Sequence, residues 1–209
     1  MANLPLAFAE LLAGAVVIDA GIKGDSIANV IRGVAKQQPL PGAGSGSTGS
    51  TGSTGGGNPF AGGWQPSRAD QGYDGTFSGQ LTAPVSGTVT YASSSDPGWK
   101  GGGAVVLQAD QAISGLASST FYFTEGLLPS VKAGQHVSAG QPIATPAVNP
   151  YNGTPGNIEW GLAPQGSTSA TPLAQSVANP RAMVMQFIAW AEQTLGLPAP
   201  TSTSGAGYA

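Results

Sequence analysis

Val131-Lys132-Ala133-Gly134-Gln135-His136 is followed at once by Val137-Ser138-Ala139-Gly140-Gln141-Pro142. Valine recurs at a spacing of six, and an Ala-Gly-Gln triplet recurs with it. Each Gly-Gln pair reads as a turn that closes a short strand. Outward from this repeat lie further short β-like runs. Thr120 to Thr124 (TFYFT) and Ala104 to Ala109 (AVVLQA) are rich in aromatic and β-branched residues. Ile158 to Leu162 (IEWGL) is another, and Leu81 to Ala92 (LTAPVSGTVTYA) alternates until Pro84 and Gly87 interrupt it. Many short strands with frequent turn signals predict a mainly β fold, a small barrel or sandwich.

Composition narrows the chemistry. Of 209 residues, 7 are Lys or Arg and 10 are Asp or Glu, a charged fraction of 8% against the roughly 25% of ordinary globular domains. A net charge of −3 gives no basic face, which argues against a nucleic-acid partner. With no cysteine, disulfides and thiolate zinc sites are excluded. With one histidine, chemistry that needs two imidazoles is closed to a single copy of this sequence. Yet 40% of the residues are hydrophobic, enough to build a core.

Four segments are expected. Residues 1–38 form a helical anchor: Pro5 suits a first helical turn, and Leu4, Phe8, Leu11, Leu12 and Ala15 recur at helical spacing. Asp25-Ser26 then caps a second helix with Ile27, Val30, Ile31 and Val34 on one face. These faces either pack on the main domain or dock onto another protein, and the linker that follows favours docking. Residues 39–58 are that linker. Gly42 to Gly57 holds only Gly, Ser, Thr and Ala, with Ser-Thr-Gly three times from Ser47 to Gly55. It is a flexible coil reaching about 20–24 Å root-mean-square. Residues 59–165 are the β domain. Residues 166–209 carry a helix and a disordered tail from Ala199. Asn179 caps the helix, Pro180 opens it, and Met183, Phe187, Trp190, Ala191 and Leu195 form its stripe. The stripe packs on the domain or meets a partner helix. The apolar run from Leu4 to Ile18 contains Glu10 and is shorter than the ~20 residues of a membrane span. No Lys or Arg precedes Lys23, so a signal peptide's basic start is missing. The expectation is a cytoplasmically made protein without a membrane anchor.

The β domain resembles the lysostaphin-like, LytM-type metallopeptidases, a compact β fold that cuts peptidoglycan cross-bridges with one zinc. The family opens with Arg-x-His-x-Gly-x-Asp, and this chain has Arg68-Ala69-Asp70-Gln71-Gly72-Tyr73-Asp74. Its Ala-Pro-x-x-Gly-x-Val turn is similar to Ala83-Pro84-Val85-Ser86-Gly87-Thr88-Val89. Its Tyr-x-His-Leu strand end and double Val-x-x-Gly-Gln resemble Tyr122 to Leu127 and Val131 to Ile143. Its closing His-Leu-His falls on Asn157-Ile158-Glu159. Four motifs in the right order, over about 100 residues, imply the fold with its duplicated motif.

The resemblance also locates the site and changes it. Its zinc ligands fall on Asp70, Asp74 and Glu159. Its two further histidines fall on Glu125 (or Thr124) and on Asn157. Three carboxylates give a site charge of −1 around a divalent ion where two imidazoles and one carboxylate give +1. An all-oxygen set suits Ca²⁺ or Mg²⁺ better than zinc, so no zinc is expected. Four of the β domain's six acidic residues lie at these positions. Three readings stay open: a hard-metal site, a carboxylate pair for acid–base work, or a relic groove satisfied by hydrogen bonds, with Arg68 a candidate donor. His136 lies inside the turn repeat and reads as an exposed turn residue. Trp64, Trp99 and Tyr151 are candidates for stacking on sugar rings, or else for packing.

The Arg68-to-Asp74 opening and the Gly156-Asn157-Ile158-Glu159-Trp160-Gly161 ending resemble a histidine-lacking branch of this fold among minor tail proteins of actinobacterial phages. The resemblance implies a virion structural protein, a minor tail or tail-tip component assembled in the host cytoplasm. Residues 1–38 would bind other tail proteins, with 180–196 a second candidate anchor. Its β domain would bind host peptidoglycan or else pack within the assembly. The alternative is a peptidoglycan hydrolase with a carboxylate-based, non-zinc site.

Overall fold

A computed structural model of the protein describes residues 57–60 and 63–203. The expected N-terminal helices and the linker up to residue 56 lie outside them. Among the described residues, no helix is long and apolar enough to cross a membrane.

The domain is mainly β. The strands are β1 Trp64–Ala69, β2 Tyr73–Phe77, β3 Leu81–Thr82, β4 Gly87–Asp96, β5 Gly102–Ala109, β6 Thr120–Glu125, β7 Leu127–Pro129, β8 His136–Val137, β9 Pro142–Pro146 and β10 Asn157–Ala163. Seven form one sheet in the order β1-β2-β10-β6-β5-β4-β8, and three form another in the order β3-β9-β7. Their pairings are antiparallel.

Register sorts the large sheet into two faces, because residues directly opposite each other in paired strands share a side. One row runs Ala69, Tyr73, Trp160, Phe123, Val105 across β1, β2, β10, β6 and β5. Its members are buried and belong to the main core. Leu81, Leu127, Ile143 and Ala144 of the small sheet join that core. The neighbouring row runs Arg68, Asp74, Glu159, Thr124, Ala104, and it carries the charges to the opposite face. That face has its own small apolar cluster of Ala104, Val106, Tyr122, Ala163 and Ala170.

Helix α1, Pro180–Leu195, closes the main core. Asn179 caps it by accepting from the Ala182 amide, and Gly196 ends it at φ 69°. Phe187 stands edge-on to Trp160 with ring centroids 4.7 Å apart, and Trp190 stacks on Phe121 at 5.4 Å. Of the two uses read for the stripe, it is therefore the domain that buries it.

The tail corrects the sequence expectation. Residues from Ala199 were expected to be disordered, yet through 203 they run back to β1. Ser202 bridges Arg68 in parallel, its carbonyl accepting from the Ala69 amide at 3.0 Å. The Thr201 hydroxyl donates to the Ser67 carbonyl, and the Tyr73 hydroxyl donates to the Pro198 carbonyl. β1 is the outermost strand of its sheet, so its free backbone groups attract a partner.

The turn repeat forms as expected. In each copy a glycine takes a left-handed conformation, Gly134 at φ 83° and Gly140 at φ 80°. The Gln135 and Gln141 side chains accept from the Lys132 and Ser138 amides that begin their own turns. His136 is exposed, on β8, and pairs with Asp110 at 2.9 Å.

Candidate functional site: an acidic cleft closed by an arginine and a tyrosine

Register brings three of the expected residues together. Asp74 on β2 lies opposite both Arg68 on β1 and Glu159 on β10. Asp70 sits in the turn between β1 and β2. The carboxylates of Asp70, Asp74 and Glu159 have oxygens within 4.8 Å of one another. Arg68 Nη2 lies 2.8 Å from Asp70, and Arg68 Nε donates to Asp74 at 3.2 Å. On the other side the buried Tyr122 hydroxyl donates to Glu159 Oε1 at 2.5 Å.

Glycine makes this approach possible. A Cβ on Gly72 would lie 2.4 Å from the Tyr122 hydroxyl and 2.6 Å from the Trp160 carbonyl. Gly72→Ala is expected to cost about 1–3 kcal/mol in urea unfolding, because the rigid strand carbonyl cannot give way.

Burial sets the protonation. The Asp74 carboxyl is pushed up to about 7, by burial first and then by the charge of Asp70, against the pull of Arg68. Glu159 is raised well above the carboxylate range by burial, then by Asp74 and Asp70. Burial likewise raises the Tyr122 phenol, and the Glu159 charge adds to it. Burial opposes the Arg68 charge, but Asp74, Asp70 and Glu159 outweigh it and hold the guanidinium above its ordinary value.

The fourth carboxylate has a separate setting. Glu125 ends β6 at φ 83°, a left-handed conformation uncommon outside glycine. Its carboxylate accepts from Asn149 Nδ2 at 2.6 Å, and burial raises it. Asn149 is 1% exposed and also donates to the Asn157 carbonyl and side chain at 2.8 and 3.0 Å. Asn157 accepts a further bond from Asn152 at 2.7 Å. Asn157 thus acts as a clamp between β10 and the loop at 147–156. Sequence reasoning missed Asn149 and gave Tyr122 no role. Tyr122 did stand within a quoted motif, whereas Asn149 had no signal beyond a turn-rich stretch.

Three aromatics were candidates for sugar stacking, and the structure separates them. Trp64 is corrected: it is 7% exposed, stacks on Phe60 at 4.2 Å and stands edge-on to Tyr73, so it is core. Trp99 donates to the Ala170 carbonyl and stacks over Tyr122 at 6.1 Å, as a cover on the small apolar cluster. Tyr151 is 44% exposed, with Lys100 Nζ 4.3 Å from its ring centre.

The zinc implied by the sequence resemblance does not fit these residues. The donors are all carboxylate oxygens, whereas catalytic zinc takes nitrogen or sulfur ligands with few carboxylates. A guanidinium already bonds two of the three.

Fold and site together define a mainly β domain with a largely buried acidic cluster. No family model matches the chain, and no curated protein does. Among solved structures it is similar to a putative M23 peptidase from Pseudomonas aeruginosa, at 19% identity over 65% of this chain, TM-score 0.38. It is also similar to the catalytic domain of lysostaphin from Staphylococcus simulans, at 21% identity over 53% of this chain and 86% of that one, TM-score 0.36. The solution structure of lysostaphin is similar at 15% identity over 74% of this chain and 61% of that one, TM-score 0.42. The chain spans 55% of the length of the Pseudomonas peptidase.

Proposed function

We propose that the chain is a non-hydrolytic binding and structural protein, a peptidase-like module that recognises cell-wall glycan or peptide from within a phage tail. One observation carries the non-hydrolytic reading. The carboxylates at the motif positions are bonded to their own chain, Asp70 and Asp74 to Arg68 and Glu159 to Tyr122. A water attacking a peptide needs a base or a metal left free to activate it. The exposed Tyr151, whose amide donates to the clamp residue Asn149, offers an aromatic surface for stacking. The tail role is supported by the motif resemblance and by the apolar segment and Ser-Thr-Gly linker at the N-terminus.

Zymography on purified cell walls, with co-sedimentation on the same material, tests this. The full chain should clear nothing yet sediment with the walls, and Tyr151→Ala should weaken sedimentation about tenfold, the order of one lost stacking contact. Clearing by the wild type but not by Glu159→Gln would show a carboxylate hydrolase instead. The raised Asp74 and Glu159 groups favour that second reading, since a protonated carboxyl near neutral pH can serve as a general acid. Absence of the chain from purified particles, by mass spectrometry, would remove the tail role.

A further inference from the structure

We propose that Arg68 is the resident cation of the cleft, standing where a divalent ion would balance Asp70, Asp74 and Glu159, and that the C-terminal segment from Pro198 to Ser202 holds it there. The inference deepens the non-hydrolytic reading of the cleft but fails separately from it, since its test measures ion response and stability, with no substrate present.

The placement of Arg68 is built. Register between β1 and β2 shifts between Pro66 and Arg68, so Ser67 is the extra residue of a bulge. Bulges bend an edge strand and re-aim the side chain that follows. Here the following residue is Arg68, set opposite Asp74 and two residues before Asp70. Its guanidinium reaches both carboxylates from one planar group, at 2.8 and 3.2 Å, as a forked donor can and an ammonium cannot.

A bulged edge strand is a poor anchor by itself. The tail compensates by bonding to Arg68 and the residues flanking it. Ser202 bridges Arg68, the Ala69 amide donates to the Ser202 carbonyl, and the Thr201 and Ser202 hydroxyls both donate to the carbonyl of the bulged Ser67. Pro198 is fixed in turn by the Tyr73 hydroxyl, from the strand that carries Asp74.

The charges facing Arg68 come from every strand around it. They are Asp70 in the β1–β2 turn, Asp74 on β2, Glu159 on β10 with Tyr122 behind it on β6, and Glu125 at the end of β6. The guanidinium thus occupies the side of Asp70 and Asp74 from which a divalent ion would have to bridge them.

The experiment melts the full chain and three variants of it at pH 7.5 in EDTA and in 1 mM Ca²⁺, Mg²⁺, Mn²⁺ or Zn²⁺. They are the wild type, Arg68→Gln, Arg68→Lys and a chain ending at Leu197. The wild type should not respond to any ion. Arg68→Gln should melt lower in EDTA and regain about 5 °C or more with at least one ion, since a ligand bound only to the folded state raises its melting point. The chain ending at Leu197 should gain a smaller ion response, because Arg68 is present but unpinned. A wild type raised by a divalent ion overturns the proposal, as does an Arg68→Gln protein indifferent to all four. If Arg68→Gln does not fold, Arg68→Lys decides: an ammonium cannot hold both carboxylates, so a partial ion response supports the resident cation and indifference to all four ions overturns it. A truncated chain that matches the wild type in every buffer overturns the part given to the tail.

Discussion

Phe187→Ala should cost the fold about 3–5 kcal/mol, the largest single loss expected from α1. Phe187 is 1% exposed and touches three rings at once: Trp160 edge-on at 4.7 Å, Trp190 at 6.0 Å and Phe121 at 6.3 Å. Trp160 in turn stacks on Phe123 at 5.4 Å in the middle of the large sheet. Removing the Phe187 ring leaves a hole between a helix and a strand that is pinned on both sides, by β2 and by β6, so the site cannot collapse to fill it. Urea unfolding should show a lower midpoint with an unchanged slope, which marks lost stability rather than an altered unfolded state. A loss below about 1 kcal/mol would mean that α1 belongs to a partner rather than to this core.

Stability should fall as pH rises from about 5 to about 8, by about 2–4 kcal/mol. Most surface carboxylates give the opposite trend, because salt bridges lower their pKa in the folded state. Here the folded state raises Asp74 from 3.8 to about 7, and it raises Glu159 and Glu125 in the same direction. Between the unfolded and folded values the native protein therefore holds more protons than the unfolded chain. Stability then declines with pH, at up to 1.36 kcal/mol per unit for each group. The Asp74 contribution is complete below the unfolded value and is lost as pH rises through about 7. Glu159→Gln places a neutral amide at this buried position and keeps an acceptor for Tyr122. It should flatten the curve and leave the variant the more stable protein at pH 8. Urea unfolding at each pH, on both proteins, reads this directly. A wild-type curve that rises across the window would sink the account of a cleft that stores protons.

The β class, the turn repeat and the strands at β5, β6 and β10 were legible because each is written locally, in side-chain type and glycine placement. The resemblance to the LytM-type motifs, not any local pattern, implied that Asp70, Asp74 and Glu159 share one cluster. β1 and β2 were not read as strands. WQPSRA and YDGTF contain proline, glycine and charge, and they pair only because an edge tolerates Pro66 and because Gly75 clears the Trp64 ring. The partners of Glu159 and Glu125 were invisible for a different reason. Tyr122 is 37 positions from Glu159 and Asn149 is 24 from Glu125, so only strand register and loop closure bring them within bonding distance. The ordered tail was hidden because a Thr-Ser stretch pairs only when a free edge is offered to it.

The paired turns at Lys132–Gln135 and Ser138–Gln141 bear on how the chain assembles. Each is stitched by bonds that span three residues, so it can close within the time of a short loop, before any distant strand arrives. Once stitched, the two turns offer the Gly134 and Gly140 amides at a fixed separation, and these meet the Val89 and Ala83 carbonyls, also six positions apart. The segment from 131 to 143 thus lands on β3 and β4 as a ready-made two-pronged plug. Part of its ordering entropy is thus spent on bonds local in sequence, which lowers the loop-closure cost left for its longer-range pairing.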